Sequence, residues 1–152
     1  ILNQSQLKGL SIDELNNFRK EEENFIVTMA YPDINAVLEN CEIRDSRKKV
    51  WKAFNNRAVL SNSPILKEAV ALRNEKANLF GFNTWAEYRL QYRMAKSPQN
   101  VVKMYDNLVP KLQMAAQNEK VELATDNIET SDIAPWDIRY LITKKRNEQS
   151  QV

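Results

Sequence analysis

Apolar residues recur at helical spacing in the centre of the chain and indicate two helices joined by a tight corner. The first stripe comprises Ile65, Leu66, Ala69, Val70, Leu72, Ala77, Leu79 and Phe80. Ser63 is predicted to cap this helix through its hydroxyl, and Pro64 suits a first helical position, where no backbone donor is needed. The pattern therefore predicts a helix that begins at Ser63-Pro64 and ends at Gly81, where glycine accepts a left-handed backbone.

A second helix is predicted directly after this corner. Thr84 and Glu87 have the capping-box spacing, in which each side chain bonds the backbone N–H of the other residue. Trp85, Tyr88 and Tyr92 follow on one face, with Leu90 and Met94 beside it. These aromatic residues favour a packed core over the alternative, the lining of a peptide channel.

The sequence pattern of the C-terminal half predicts a long helix, then a polar loop and a last helix. Ser97-Pro98 repeats the cap-and-proline start, and a heptad-like seam follows that suits an antiparallel neighbour: Val101, Tyr105, Leu108, Leu112 and Ala115. Pro110 lies inside this helix and is expected to kink it or split it. Residues 125–133 are polar and predict a loop. A helix beginning at Ala134-Pro135 follows, with Asp137 placed to interact with its N-terminal dipole.

The N-terminal half contains the one segment that reads as a strand, residues 25–30. Residues 1–24 offer it no evident partner, so its partner is expected in other sequence, and the charged run 19–24 is predicted to be a solvated turn. Ser11 and Glu14 form another capping box. Helices are predicted from Tyr31-Pro32 and from Asp45 to about Leu60.

Basic side chains gather at the start of this last helix: Arg44, Arg47, Lys48 and Lys49. Positive charge is unfavourable at a helix N-terminus. These residues therefore either form ion pairs with acidic side chains elsewhere or are solvated, and solvation is the favoured interpretation. Together, the patterns predict an all-α fold class. We expect a multi-helix array with at most one short strand, in which residues 1–152 form a single helical segment; that this segment is part of a larger protein follows from the family resemblance given below.

Composition changes this picture little. The chain has 152 residues, 43% of them hydrophobic and 28% charged, and a net charge of +2, which is balanced enough to argue against a nucleic-acid or membrane partner. The lone Cys41 excludes an internal disulfide framework and is expected to be packed rather than reactive. It favours a reducing compartment, so the cytoplasm is predicted, with the mitochondrion as the alternative.

Three segments, in order, resemble the thimet oligopeptidase, neurolysin and oligopeptidase A family of zinc metallopeptidases. They are V-T-M-A-Y-P at 27–32, A-L-R-N-E-K-A-N-L-F-G-F-N-T-W-A-E-Y at 71–88 followed by M-A-K-S-P at 94–98, and W-D-I-R-Y at 136–140. The resemblance runs from about residue 10 to residue 146. It implies a mostly helical enzyme that encloses a deep channel and hydrolyses short peptides.

The resemblance also implies a zinc site on an H-E-x-x-H helix, whose two histidines bind the metal while the glutamate acts as base. The chain contains no histidine, so no catalytic and no metal-binding residue is expected in it, and zinc belongs to the parent enzyme. The chain is therefore expected to be a fragment upstream of that helix, inactive by itself.

The resemblance implies structural roles for residues of this chain rather than catalytic ones. It suggests Trp136, Arg139 and Tyr140 as side chains that face the channel, although Leu141 stands where the family often has a second tyrosine. The expected partners are the remainder of the parent polypeptide and short peptides, with self-association of the chain. The alternative is a stand-alone helical interaction module that kept the scaffold and lost the chemistry.

Overall fold

The computed structural model describes residues 1–125 and 128–150. Its described residues form seven α-helices and three short strands, which confirms the predominantly helical fold, whereas the limit of one short strand was wrong. The strands are β1 (Leu2–Asn3), β2 (Arg19–Glu21) and β3 (Asn24–Ile26). The helices are α1 (Ile12–Asn17), α2 (Tyr31–Asn40), α3 (Arg44–Asn55), α4 (Val59–Leu79), α5 (Trp85–Leu90), α6 (Pro98–Leu123) and α7 (Pro135–Gln149).

The strands form one antiparallel sheet in the order β1-β3-β2. Leu2 lies opposite Phe25, and Lys20 lies opposite the same residue from the other side. The expectation that the strand pairs with other sequence was therefore wrong, as was the reading of 19–24 as only a turn. The two partner strands were not predicted because β1 has only two residues and β2 consists of charged residues.

The chain divides into two compact units, one made of Ile1–Arg57 and the chain from Glu119 onward, the other of Ala58–Asn118. The first unit has the apolar core, to which the sheet, α2 and α3 contribute: Leu2, Leu7, Phe18, Phe25, Ile34, Val37, Leu38, Cys41 and Val50. Helix α7 packs against α2 and α3 in the same unit. The core residues of the helices recur at i, i+3 and i+4, as burial of one helix face requires.

The second unit contains α4, α5 and most of α6, and its apolar side chains are largely exposed. Helix α4 buries only Ala77, and α6 buries no residue. Leu66 in α4 is 62% exposed and Leu112 in α6 is 56% exposed. The seam predicted on α6 therefore forms a helix face, but the described residues leave much of that face exposed.

Several helix ends differ from the prediction. Helix α4 begins at Val59 rather than at Ser63-Pro64, because the chain turns at Ala58 through a left-handed backbone (φ 54°) and Pro64 is accommodated inside the helix. Helix α3 correspondingly ends at Asn55, before the predicted end near Leu60. Helix α5 ends at Leu90, before Tyr92.

The predicted cap at Ser63 was wrong, because Ser63 lies inside α4, but the other predicted caps are confirmed. Both capping boxes form, Ser11 with Glu14 and Thr84 with Glu87. Gly81 has a φ of 82° after the last turn of α4, and the Phe82 N–H donates to the Ala77 carbonyl at 3.0 Å, the Schellman geometry. Helix α6 is continuous through Pro110. Among the described residues, no helix combines the length and the apolar character needed to cross a bilayer.

Candidate functional site

Helix α7 positions the three residues predicted to face a channel. The helix begins at Pro135, and the Asp137 carboxylate accepts a hydrogen bond from the Ala134 N–H at 3.1 Å. Trp136 and Arg139 line the same cavity. Tyr140 instead contacts the Arg47 guanidinium, whose Cζ lies 4.2 Å from the centre of the Tyr140 ring. The structure thus brings two of the three together and directs the third toward another contact.

The cavity lies between α2, α3 and α7, within the first unit, and encloses about 150 Å³. Its apolar lining is mainly aromatic: Tyr31, Ile34, Leu38, Trp51, Phe54 and Trp136. Trp51 and Trp136 meet edge to face, with ring centres 5.7 Å apart. Asn35, Asn55 and Arg139 supply polar groups to the same lining. Such a mixture of aromatic walls and few polar groups is typical of a ligand pocket.

Positive charge surrounds this cavity. The side chain of Arg139 is 51% exposed; its Nη1 donates to Asn35 Oδ1 and lies 3.8 Å from Glu39 Oε1. The Lys48 ammonium lies 5.2 Å from the Trp136 ring centre, and the Arg57 guanidinium lies 3.6 Å from the Phe54 ring centre. The cations beside the lining rings are held by cation–π attraction.

One polar atom of the lining is buried without a partner. The Trp136 indole Nε1 makes no hydrogen bond within the described part of the chain. A buried N–H donor that is left unpaired costs free energy, so such a donor indicates either strain or a missing acceptor.

Beneath the cavity, a buried ion cluster joins α3 to α7. The side chains of Asp137 and Arg47 are 0% and 1% exposed, and Arg47 Nη2 donates to Asp137 Oδ1 at 2.8 Å. Arg44 Nε and Nη2 donate to the same carboxylate at 3.0 and 2.8 Å. Burial alone raises the pKa of Asp137, but the hydrogen bonds from both guanidinium groups and from Ala134 outweigh it and hold that pKa below its usual value.

The other two guanidinium nitrogens of Arg47 also donate hydrogen bonds. Its Nη1 donates to the carbonyls of Cys41 at 2.8 Å and Glu42 at 3.1 Å, and its Nε donates to the carbonyl of Trp136 at 3.3 Å. Such pairing is what permits a buried charge. The guanidinium therefore fixes the start of α7, and with it the Trp136 wall of the cavity.

Sequence reasoning missed this cluster. The favoured interpretation of Arg44 and Arg47 as solvated was wrong, since both bind Asp137. The signal was present in two separate observations: basic residues placed unfavourably at the start of α3, and an acidic residue at the start of α7. Nothing in the local pattern connects positions about 90 residues apart.

Of the other candidate groups, Cys41 is packed, whereas the core predicted for the aromatic residues of α5 was wrong, because α5 buries no residue. Burial raises the pKa of the Cys41 thiol, consistent with a packed residue. Tyr88 stacks on Phe80 with ring centres 5.2 Å apart and contacts Trp85, while Tyr92 is 82% exposed and lies outside α5. Within residues 1–125 and 128–150, no group of three or more acidic or cysteine side chains is arranged to hold a metal ion.

Comparison with known proteins adds the family. The sequence profile of peptidase family M3 matches residues 37–152. The chain is 35% identical to the thimet-like oligopeptidase of Dictyostelium discoideum, over 63% of this chain and 15% of that protein. It is 29% identical to oligopeptidase A of Salmonella typhimurium, over 84% of this chain and 20% of the relative. Oligopeptidase A of Haemophilus influenzae is also 29% identical, over 96% of this chain and 24% of its own length.

The matched part of each relative is small. The chain spans between 15% and 24% of the length of these curated proteins. The profile match, by contrast, takes in most of the present chain, including α3 to α7 and both sides of the buried ion cluster.

Proposed function

The chain belongs to peptidase family M3, and from this premise we propose that it forms part of the substrate-channel wall of a zinc-dependent oligopeptidase that hydrolyses short peptides. In this proposal the chain supplies scaffold and channel surface, while the catalytic residues and the metal belong to the remainder of the protein. In the relatives that carry oligopeptidase names, the matched segment is 15% to 24% of the whole length, which leaves ample sequence for a reaction centre.

The exposed apolar side chains of α4 and α6 are the observation that carries this proposal. Ile65, Leu66 and Val70 of α4 are each more than half exposed, as are Tyr105 and Leu112 of α6. Contiguous apolar surface of this kind marks an interface. It supports a segment whose helices are covered by further polypeptide when the protein is complete.

The residues of this chain do not fit the zinc site of such an enzyme. Catalytic zinc sites use three protein ligands, commonly including histidines, and the sequence contains no histidine. Zinc, when bound elsewhere in the complete protein, would polarise the scissile carbonyl and activate a water. The contribution of this chain would be to bind and orient the peptide.

The cavity supports such a binding role. Trp136 and Arg139 combine an apolar wall with a charged group that peptides can contact. Tyr140 would act indirectly, through its contact with Arg47.

A cleavage assay tests the proposal. The 152-residue chain and a protein extended through the H-E-x-x-H helix are each incubated with a quenched fluorescent peptide of about ten residues, with and without a zinc chelator. We expect no zinc-dependent cleavage by the chain and chelator-sensitive cleavage by the extended protein. If the reading frame that encodes the chain contains no such helix, the proposal fails.

A second candidate function is a stand-alone helical interaction module. The observation that favours it is the first unit, whose strands pair within the chain and whose core is buried. This function predicts a chain that stays monomeric, unfolds cooperatively and binds a protein partner.

A further inference from the structure

Resting on the proposed function, we propose that the cavity between α2, α3 and α7 binds the C-terminal residue of a short peptide, with the apolar side chain inside the cavity and the free carboxylate on Arg139. Two features of the cavity lead to this ligand: its size and aromatic lining, and the charge of Arg139 beside them.

The size and lining suit one apolar side chain. The cavity is small, so it suits one side chain of a ligand rather than several residues. Trp51, Phe54 and Trp136 present aromatic surface to it, and burial of an apolar group against such surface is favourable. The ligand therefore projects one apolar side chain and keeps its remaining groups at the polar part of the lining.

The charge around the cavity selects an anion. Arg139 donates to Asn35 through Nη1, and within the described chain Nε and Nη2 make no further hydrogen bond. These two nitrogens lie on one edge of the guanidinium, the edge that binds a carboxylate through two parallel hydrogen bonds. Lys48 and Arg57 add positive charge beside the cavity, and Glu39 is the acidic side chain that lies next to Arg139.

The test compares two peptides that differ only at the carboxyl end, N-acetyl-Ala-Ala-Leu as the free acid and as the C-terminal amide. Each is titrated into the 152-residue chain, and binding is followed by the indole N–H resonances in proton–nitrogen NMR. We expect the free acid to bind about tenfold more tightly than the amide, because an ionised acceptor strengthens the hydrogen bonds. The Trp136 resonance, assigned by its loss in Trp136→Phe, should shift as the acid binds, because Trp136 lines the cavity.

Two charge-removing variants on α7 isolate the role of Arg139. Arg139→Gln should weaken binding of the free acid about tenfold and leave binding of the amide unchanged. Arg146→Gln removes the same charge from an exposed position further along the helix and should change neither. Both positions are exposed, and circular dichroism verifies that the variants fold.

The proposal is overturned if the acid and the amide bind alike, if both variants behave alike, or if neither peptide binds at millimolar concentration. Binding requires no zinc and no cleavage, so this failure is distinct from failure of the proposed function, which the cleavage assay reports.

Discussion

At the residue scale, the buried carboxylate of Asp137 connects the fold to the candidate site. It holds Arg44 and Arg47 of α3 at the start of α7, next to the Trp136 wall of the cavity. The sequence indicated that Asp137 suits a helix N-terminus, and this much is confirmed. Its pairing with two arginines could not be predicted, because the partners are brought together only by the packing of α3 on α7.

Replacement of Asp137 by asparagine should destabilise the chain by about 3–5 kcal/mol, because it leaves the Arg47 charge buried without its counter-ion. The measurement is urea-induced unfolding followed by circular dichroism. Glu148→Gln removes one negative charge from an exposed position of the same helix and should change the free energy of unfolding by less than about 0.5 kcal/mol. Equal losses in both variants would show that the cluster has no special contribution.

Acid should weaken the fold through the same residue. Because the pKa of Asp137 is lowered in the folded chain, its contribution is fully present above the usual aspartate pKa and is lost as pH falls toward the lowered value. Unfolding measured at pH 6, 4 and 3 should show a steeper decline for the unmodified chain than for Asp137→Asn. Parallel declines would contradict this assignment.

At the scale of elements, local sequence signals predicted where the helices lie, but they predicted some helix ends correctly and others wrongly. Capping boxes and Gly81 depend on residues a few positions apart, and all formed as predicted. The start of α4 was wrong because Pro64 is also tolerated inside the helix, so proline alone did not fix the boundary. The short strands β1 and β2 exist through pairing with β3, which no local pattern contains.

The two glycines should respond differently to alanine. Gly81→Ala should cost about 1 kcal/mol, since φ is 82° but an added Cβ has open space around it. Gly9→Ala should cost about 3 kcal/mol, because φ is 100° and the new Cβ would lie 2.4 Å from the Asn40 carbonyl oxygen. Thermal unfolding of the two variants measures the difference, and equal costs would contradict the close approach at Gly9.

At the scale of the whole molecule, the sequence predicted a helical peptidase segment, and the family and helical fold are confirmed. The amphipathic pattern of α4 and α6 predicted which residues form their apolar faces. It could not predict whether those faces are covered, because the covering surface is not part of the local pattern. Their exposure is what distinguishes a channel-wall segment from a self-sufficient module.

The exposed faces should make the chain associate with itself. Sedimentation velocity from about 5 to 200 µM should show a rising average mass, since association removes apolar surface from water. Leu112→Lys should reduce this association, whereas Gln113→Lys, which adds the same charge at an exposed polar position of α6, should have little effect. A constant monomer mass at all concentrations would favour the stand-alone module.

The most direct measurement of the central claim is the rate of methionine oxidation on α6 by dilute peroxide, followed by mass spectrometry. Met104 and Met114 are 54% and 69% exposed in this chain, and oxidation of methionine requires access to its sulfur. Our account predicts fast oxidation of both residues in the 152-residue chain at low concentration. In the protein extended through the H-E-x-x-H helix, it predicts oxidation at least about tenfold slower, with the fast rate restored by denaturant. Equal rates in the native chain and the native extended protein would contradict the claim that further polypeptide covers these helices.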